Sequence, residues 1–312
     1  MYSLQRIENE LNHITALSNT QVGVSFLHFE TGTRLALGPA EPFPMASTYK
    51  VAIAARLLRR IDAGEFTLDQ MIEIDQNDLS PGGGLVKAHI YHPGLTLSIH
   101  NLLSLMLTVS DNTSSDMVLQ LAGGPEAVTD FLKAEGIEGM RVDRSTKLLI
   151  TDAYGATDLM PGGQWSFQFL QEHKAELSDA PPDTAAKIFL ADRRDTSTPA
   201  AMITLLERIY RRELLSEAST QVLLDIMERC DSGAARIKGM LPAGTVVAHK
   251  TGTIPKVSVN DMGIITLPDE AGHVAISVAV KLLGDGHFIQ GEEAERTIAH
   301  LARAVHDFAL FA

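Results

Sequence analysis

The chain is poor in several things, and each shortage removes a class of protein. It has a single cysteine, Cys230, so no intramolecular disulfide can form. That cysteine lies in a helix-like stretch among Val222, Leu223, Leu224, Ile226 and Met227, and it reads as a buried, inert thiol. No run of about 18 apolar residues occurs, so no segment reads as a membrane span. Basic residues are in deficit, 26 against 39 acidic ones, for a formal net charge of −13. Nucleic-acid binders present a clustered basic face. Here the pairs Arg59-Arg60, Arg193-Arg194 and Arg211-Arg212 are short and flanked by acids, so they read as solvated helix faces or local ion pairs. No internal repeat or low-complexity tract is visible. The stretch Met1 to Asn19 carries Leu4, Ile7, Leu11 and Ile14 on one helical stripe and lacks the apolar core of a signal peptide. As given, the chain is expected to be cytoplasmic, or periplasmic or secreted if a signal was trimmed; the sequence leaves both open.

What is present is ordinary globular material, with 45% hydrophobic and 21% charged residues over 312 positions. Gln21–Glu30 and Thr33–Leu37 alternate around Thr31-Gly32, which predicts a β-hairpin. From Ser47 to Ile61 the period becomes helical, with Val51, Ala54, Ala55, Leu58 and Ile61 on one face and Gly64 as a stop. Helical patterns follow at Leu97–Leu107, Thr113–Leu121, Pro125–Ala134, Pro199–Tyr210 and Ser216–Glu228. Strand character returns at Thr245–His249, Asp261–Leu267 and His273–Leu282, and Glu292–Phe311 is a last amphipathic helix. Between Arg144 and Asp195 the chain is rich in Gly, Pro and Asp and shows no strong period. The expectation is an α/β fold: one antiparallel sheet built from early and late strands, flanked by the N- and C-terminal helices, with an all-helical domain inserted. The sheet domain takes residues 1–46 and 213–312, the helical one 47–212, and the site falls at their seam.

Three short elements carry the chemistry: Ser47-Thr48-Tyr49-Lys50, Ser110-Asp111-Asn112 and Lys250-Thr251-Gly252. A serine needs a base to become a nucleophile, and Lys50 lies one helical turn from Ser47 on the same face. A lysine beside a second ammonium and partly desolvated loses its proton near neutral pH. Each element alone reads more simply, as a helix cap, a loop or a surface lysine. In this order, about 60 and 140 residues apart, they match the motif set of class A β-lactamases and penicillin-binding proteins.

The chain resembles a class A β-lactamase along nearly all its length. Ser110–Arg144 is similar to the family's stretch with GGP, FL and R-x-D-R. Arg193–Met202 (RRDTSTPAAM) resembles the segment closing its Ω loop, and Arg236–Pro242 followed by VVAHKTGT resembles the approach to its third motif. Asn260–Asp269 (NDMGIITLPD) resembles the next strand in a cephalosporinase-like subgroup. The resemblance implies a β-lactamase-like fold and a serine hydrolase with no metal or organic cofactor, acting on a β-lactam or peptide-like substrate that bears a carboxylate. It implies Ser47 as nucleophile, Lys50 as base and Ser110 as proton relay to the leaving nitrogen. Asn112, Arg236, Lys250 and Thr251 would position substrate, and the N–H groups of Ser47 and Thr253 would form the oxyanion hole. Arg144 and Asp195 resemble the ion pair that closes the Ω loop.

The departure lies in that loop. Family members carry R-x-E-x-x-L-N, whose glutamate activates the deacylating water. Aligning Arg144 puts Thr146 at the glutamate and Ile150 at the asparagine; a second register through Ala175–Ala180 puts Lys174 at the glutamate. Arg144 and Asp195 stand 51 positions apart, against roughly 15 in the family, so the connection is enlarged. Glu172, Glu176, Asp179 and Asp183 are candidate replacement bases, each reading more simply as a solvated loop acid. Rival functions are a D-alanyl-D-alanine peptidase, amidase or esterase of the same fold, or a penicillin-binding module that deacylates slowly. Two further features are weak. Pro81–Lys87 (PGGGLVK) lacks phosphate-loop spacing and reads as a flexible connection. His89 and His92 lack a third ligand and read as a surface pair.

Overall fold

In the computed structural model, residues 3–38, 42–84, 86, 89, 92–177 and 180–311 are described. The two early strands, β1 (Val22–His28) and β2 (Arg34–Leu37), form the expected hairpin. They join three late strands, β7 (Val247–Ile254), β8 (Ser258–Thr266) and β9 (His273–Lys281), in one antiparallel sheet of order β2-β1-β9-β8-β7. The chain leaves the sheet after Leu37 and returns to it at Val247, with β7 at an edge; β3 (Phe43–Pro44) and β6 (Thr196–Ser197) pair with each other outside it. Three of these strands, β1, β8 and β9, are buried along nearly their whole length, so both faces of the sheet must be covered. On one face lie the first helix, α1 (Leu4–Leu17), and the last, α11 (Gly291–Phe311), around Ile7, Leu11, Phe26, Ile276 and Phe308. On the other lie α9 (Pro199–Tyr210), against β1 and β9, and the turn that opens α2 (Lys50–Asp62), against β7 and β8. No helix among the described residues is long and apolar enough to cross a membrane.

The helix α2 is buried nearly all round. Beyond the expected stripe, Ala52, Ile53 and Leu57 are also sealed from solvent, as a helix with apolar residues on every side must be. It is enclosed by α3 (Ile99–Thr108), α4 (Asn112–Leu121), α5 (Gly124–Ala134) and α10 (Glu217–Glu228). Each fully buried Leu, Ile or Val contributes about 1.5–3 kcal/mol, so the helix that carries the first motif is also the centre of the larger core.

Two sequence readings change. The stretch before α3 is a strand, β5 (Leu95–Ser98), paired with β4 (Met71–Ile74); Ser98 then caps α3 by accepting from Asn101 N at 3.2 Å, so the helix starts two residues later than its apolar pattern implies. The segment 144–195, aperiodic in sequence, folds into α6 (Thr146–Ala153), α7 (Phe167–Glu172) and α8 (Asp183–Ala191). These helices are six to nine residues long, too short for a 3.6-residue period to stand out. Their own small core gathers Leu79, Met160, Phe169, Leu170 and Leu177.

Candidate active site

Ser47 sits in a tight turn of residues 46–49 that runs directly into α2. The residue before it, Ala46, has φ +48°, and Ser110 has φ +58°. A non-glycine residue in this left-handed region costs on the order of 1–3 kcal/mol and persists only where surrounding structure enforces it. Here β7 does so. A Cβ on Gly252 would lie 2.6 Å from Met45 O and 3.1 Å from Ser47 N. Glycine at 252 is thus what lets the turn that holds Ser47 press against the strand. The third motif therefore lies within β7, which runs on to Ile254, and does not cap its end as the sequence pattern implied. The continuation pairs Lys250 with Met262, Thr251 with Asp261 and Thr253 with Val259.

Lys50 is the centre of the cluster. Fully buried, it donates to Ser110 O (2.9 Å), Ser110 Oγ (3.1 Å) and Asn112 Oδ1 (2.9 Å). Burial, and then the charge of Lys250, push its pKa well below the usual lysine value, with Asp111 and Asp116 opposing. The shift is towards the neutral amine, the form a base requires. Asn112 is fixed from both ends, its Nδ2 donating to Pro81 O at 2.9 Å. Asp111 holds the turn, accepting from Ser114 N (2.7 Å) and Val86 N (2.9 Å). The glycine run belongs to this turn and is not a loose connection. Gly84, at φ +142°, packs where a Cβ would meet Asp111 Oδ2 at 2.4 Å.

On β7, Lys250 is fully buried and donates to Thr251 O at 3.0 Å. Burial lowers its pKa to about 8, against the raising influence of Cys230 and Asp261. Arg236 is nearly buried and committed: to Glu295 (3.0 Å), Gly252 O (3.2 Å), Asn260 O (2.9 Å) and Thr253 Oγ1 (2.6 Å). It braces β7 from behind, and its charge reaches the cleft by way of Thr253.

Arg144 and Asp195 meet at 2.5 Å, almost fully buried. Arg144 also holds Asp152 (2.6 Å) and Asp192 (3.1 Å) and lies over the Phe189 ring. Asp195 accepts from Asp143 N and Arg144 N and gives its own N–H to Asp143. Its carbonyl accepts from Met45 N at 3.0 Å, two residues before Ser47.

Inside that neck, the two places that the resemblance allows for the glutamate are held by Thr146 and Lys174. Thr146 is buried, its hydroxyl 2.5 Å from Tyr49 Oη. The carboxylate nearest it, Asp116, accepts from Thr146 N (2.5 Å), Lys147 N (3.0 Å) and Ser80 Oγ (2.6 Å). It serves as an anion at the start of α6. Burial raises the Asp116 pKa. Of the four candidate acids, Asp183 pairs with Lys256 on the surface (2.6 Å), Glu176 lies 3.7 Å from His173, and Glu172 accepts from Gln168. All three are exposed, and Asp179 lies outside the described residues. A cleft of about 450 Å³ opens between Asn112, Ile150, Tyr154, Lys174, Leu177 and Thr253. Among the described residues its lining includes no carboxylate, and its one charged side chain is Lys174. His89 and His92 are both exposed, and no group of three metal-ligating side chains occurs among the described residues.

Sequence reasoning missed one cluster. Cys230 is buried but faces the His249–Asp261 pair. The signal was available only as three separate polar residues within apolar strand and helix patterns.

A five-stranded antiparallel sheet with helices on both faces, and three such motifs meeting at its edge strand, is the architecture of a class A-type hydrolase. The model of the β-lactamase enzyme family matches residues 6–309, and the chain belongs to that family. It is 28% identical to β-lactamase VEB-1 of Pseudomonas aeruginosa over 279 residues, 86% of this chain and 81% of that one. It is also 28% identical to the extended-spectrum β-lactamase PER-1 of Pseudomonas aeruginosa over 318 residues, 97% of this chain and 87% of that one. The crystal structure of a β-lactamase from Chitinophaga pinensis superposes with a TM-score of 0.78 at 29% identity, covering 96% of this chain and 98% of that one.

Proposed function

We propose that this protein opens β-lactam rings through an acyl-enzyme on Ser47, and that it deacylates slowly. The observation that carries the first half is the convergence of Lys50 Nζ on Ser110 and Asn112, at the foot of a helix whose first turn abuts Gly252. Neutral Lys50 takes the Ser47 proton as Oγ attacks the lactam carbonyl carbon. The oxyanion is met by the N–H groups of Ser47 and Thr253. As the C–N bond breaks, the nitrogen takes a proton from Ser110, which Lys50 replaces. Asn112 holds the acyl amide, while Lys250 and Thr251, with Arg236 behind Thr253, receive the substrate carboxylate.

The second half rests on the cleft. Water attack on the ester needs a base within hydrogen-bond reach, and among the described residues that line the cleft there is no carboxylate, its one charged side chain being the cation Lys174. This also favours a second reading, a penicillin-binding module that stays acylated. Intact-mass measurement over time with a penicillin and a cephalosporin separates the readings. The expected result is a single adduct on Ser47 that forms quickly and decays slowly, and is lost in Ser47→Ala. A permanent adduct would make the protein a binder. Absence of any adduct would direct attention to peptide, amide or ester substrates, and labelling that survives Ser47→Ala would end the serine reading.

A further inference from the structure

Behind the third motif lies a second polar constellation that the proposed chemistry does not use. His249 and Asp261 are fully buried, with Nδ1 3.0 and 3.2 Å from the two carboxylate oxygens. They sit diagonally across the β7–β8 register, on the same sheet face as Thr251. The seat is built for the ring: opposite His249 is Gly263, where a Cβ would come within 2.5 Å of the histidine's own Cβ. The other ring nitrogen, Nε2, is buried without a hydrogen-bond partner of regular geometry. A buried, unpaired imidazole nitrogen is costly unless something nearby answers it.

The group that answers is Cys230, in the turn after α10. Its Sγ lies 3.3 Å from Ser232 Oγ, which lies 2.5 Å from Thr251 Oγ1. Sulfur, Ser232 and Thr251 thus form a chain leading from the buried pair into the carboxylate pocket. The charged groups acting on the sulfur are His249 and Lys250 on β7; Lys238 donates to Cys230 O at 3.4 Å, and Asp261 and Arg236 act on Lys250. His249 and Lys250 both favour a negative sulfur in this surrounding.

We infer that Cys230 is a positioning residue: a buried thiolate, held by His249 and Asp261, that keeps Lys250 cationic for the substrate carboxylate. Two sets of acidities agree with the geometry. Burial raises the thiol, but the His249 hydrogen bond and charge, and then Lys250, bring it down to about 6. Burial lowers His249, but Asp261 and then Cys230 bring it up to about 9. Between those values the pair is thiolate and imidazolium. Lys250, already pulled down by burial and opposed by Arg236, is raised by the sulfur's charge and by Asp261. Without that charge the ammonium would be lost at a lower pH. The sulfur acts through Lys250 and touches no substrate.

The role of Lys250 as carboxylate receiver rests on the proposed function, so the first tests use no substrate. In the full chain, the ultraviolet absorption of the thiolate, taken as wild type minus Cys230→Ser, should titrate near pH 6. By NMR, the Lys250 side chain should titrate at a lower pH in Cys230→Ala and return towards the wild-type value in Cys230→Asp, which replaces the charge and not the thiol. A third test is kinetic. The KM for a carboxylate-bearing β-lactam should lose its plateau at lower pH in Cys230→Ala, by about tenfold for each unit that Lys250 is displaced. kcat, and KM for the methyl ester of the same compound, should change little, and Cys230→Asp should restore the profile. A thiol that stays protonated above pH 8, or a Lys250 titration unmoved in Cys230→Ala, would overturn the inference. So would a Cys230→Asp variant that behaves like Cys230→Ala, since that would assign the effect to packing. Failure of Ser47 to react with any β-lactam would instead count against the proposed function, and the two titrations would still decide the charge state of the pair.

Discussion

The two halves of the site are built on different terms. The floor, made by α2, the Ser110 turn and β7, is buried, hydrogen-bonded at nearly every polar atom and strained at Ala46 and Ser110. The wall, made by residues 144–195, is short helices over a small separate core, with Glu172, Glu176 and Asp183 turned to solvent. Strain and saturation in the floor mean that its geometry is enforced by neighbours. Exposure in the wall means that its surface can change without disturbing the fold. A protein with this division is expected to acylate like its family and deacylate in its own way.

The widest gap between the halves should appear on removing Lys50. Lys50→Ala is expected to slow acylation of Ser47 by about 10²–10⁴, the scale of losing a general base. The acid limb of the acylation profile should vanish with it. That limb reflects protonation of an amine held well below the ordinary lysine range, so acylation is full above the Lys50 value and lost as pH falls through it. Stopped-flow labelling between pH 5 and 9 measures both.

The wall supplies the converse test. Neutralising Glu172, Glu176 and Asp183 together, by Glu→Gln and Asp→Asn, should leave deacylation within about threefold, because none of them faces the cleft. Lys174→Glu, which puts a carboxylate on the cleft wall, should speed it; up to about 10²-fold is the range open to a positioned base. A triple variant that traps the acyl-enzyme would show that one of these acids moves into the site.

Breaking the neck should couple the halves. Arg144→Ala leaves Asp195 and Asp192 without their buried partner, and loss of one member of such a pair costs about 3–5 kcal/mol, to be read as a lower denaturation midpoint. Acid should weaken the same region more gently. The Asp143 and Asp192 carboxyls are pulled up by burial but brought below the usual range by the guanidinium and N–H groups around them. Their contribution is therefore present above about pH 4 and lost as pH falls through the lower folded values. Hydrogen exchange of residues 144–195 between pH 6 and 3 measures this.

The effect expected on the substrate carboxylate is the most selective. Arg236→Ala should weaken carboxylate-bearing substrates by about 1.5–3 kcal/mol and their esters much less, as comparative KM values would show. Equal losses on both would assign Arg236 to bracing β7 alone, the role its bonds to Gly252 and Asn260 already give it.

The legible part of the molecule was the part with strong periods and fixed spacing. The strands that pair in the sheet, the helix after Ser47 and the three motifs all follow from patterns within single segments. The illegible parts depend on partners distant in sequence. Gly84 reads as slack until Asp111 is placed against it. Leu97-Ser98 reads as the start of a helix until Leu95–Ser98 pairs with Met71–Ile74. Cys230 reads as inert because His249, the group that acts on it most, lies on a strand 19 positions away and is paired there with Asp261 of the next strand. Within 144–195, only the two ends could be recognised, since Arg144 and Asp195 are defined by each other.

That mutual definition has a consequence for how such a protein changes over time. Arg144 and Asp195 close their segment to 2.5 Å whatever lies between them. Enlarging a closed loop from roughly 15 to 51 residues adds only about 1 kcal/mol of closure entropy, because the cost grows with the logarithm of length. The clasp therefore turns everything between its ends into an exchangeable cassette. Insertions there are cheap for folding while they rewrite one wall of the cleft, so the segment can be lengthened, shortened or replaced while the catalytic floor stays as it is.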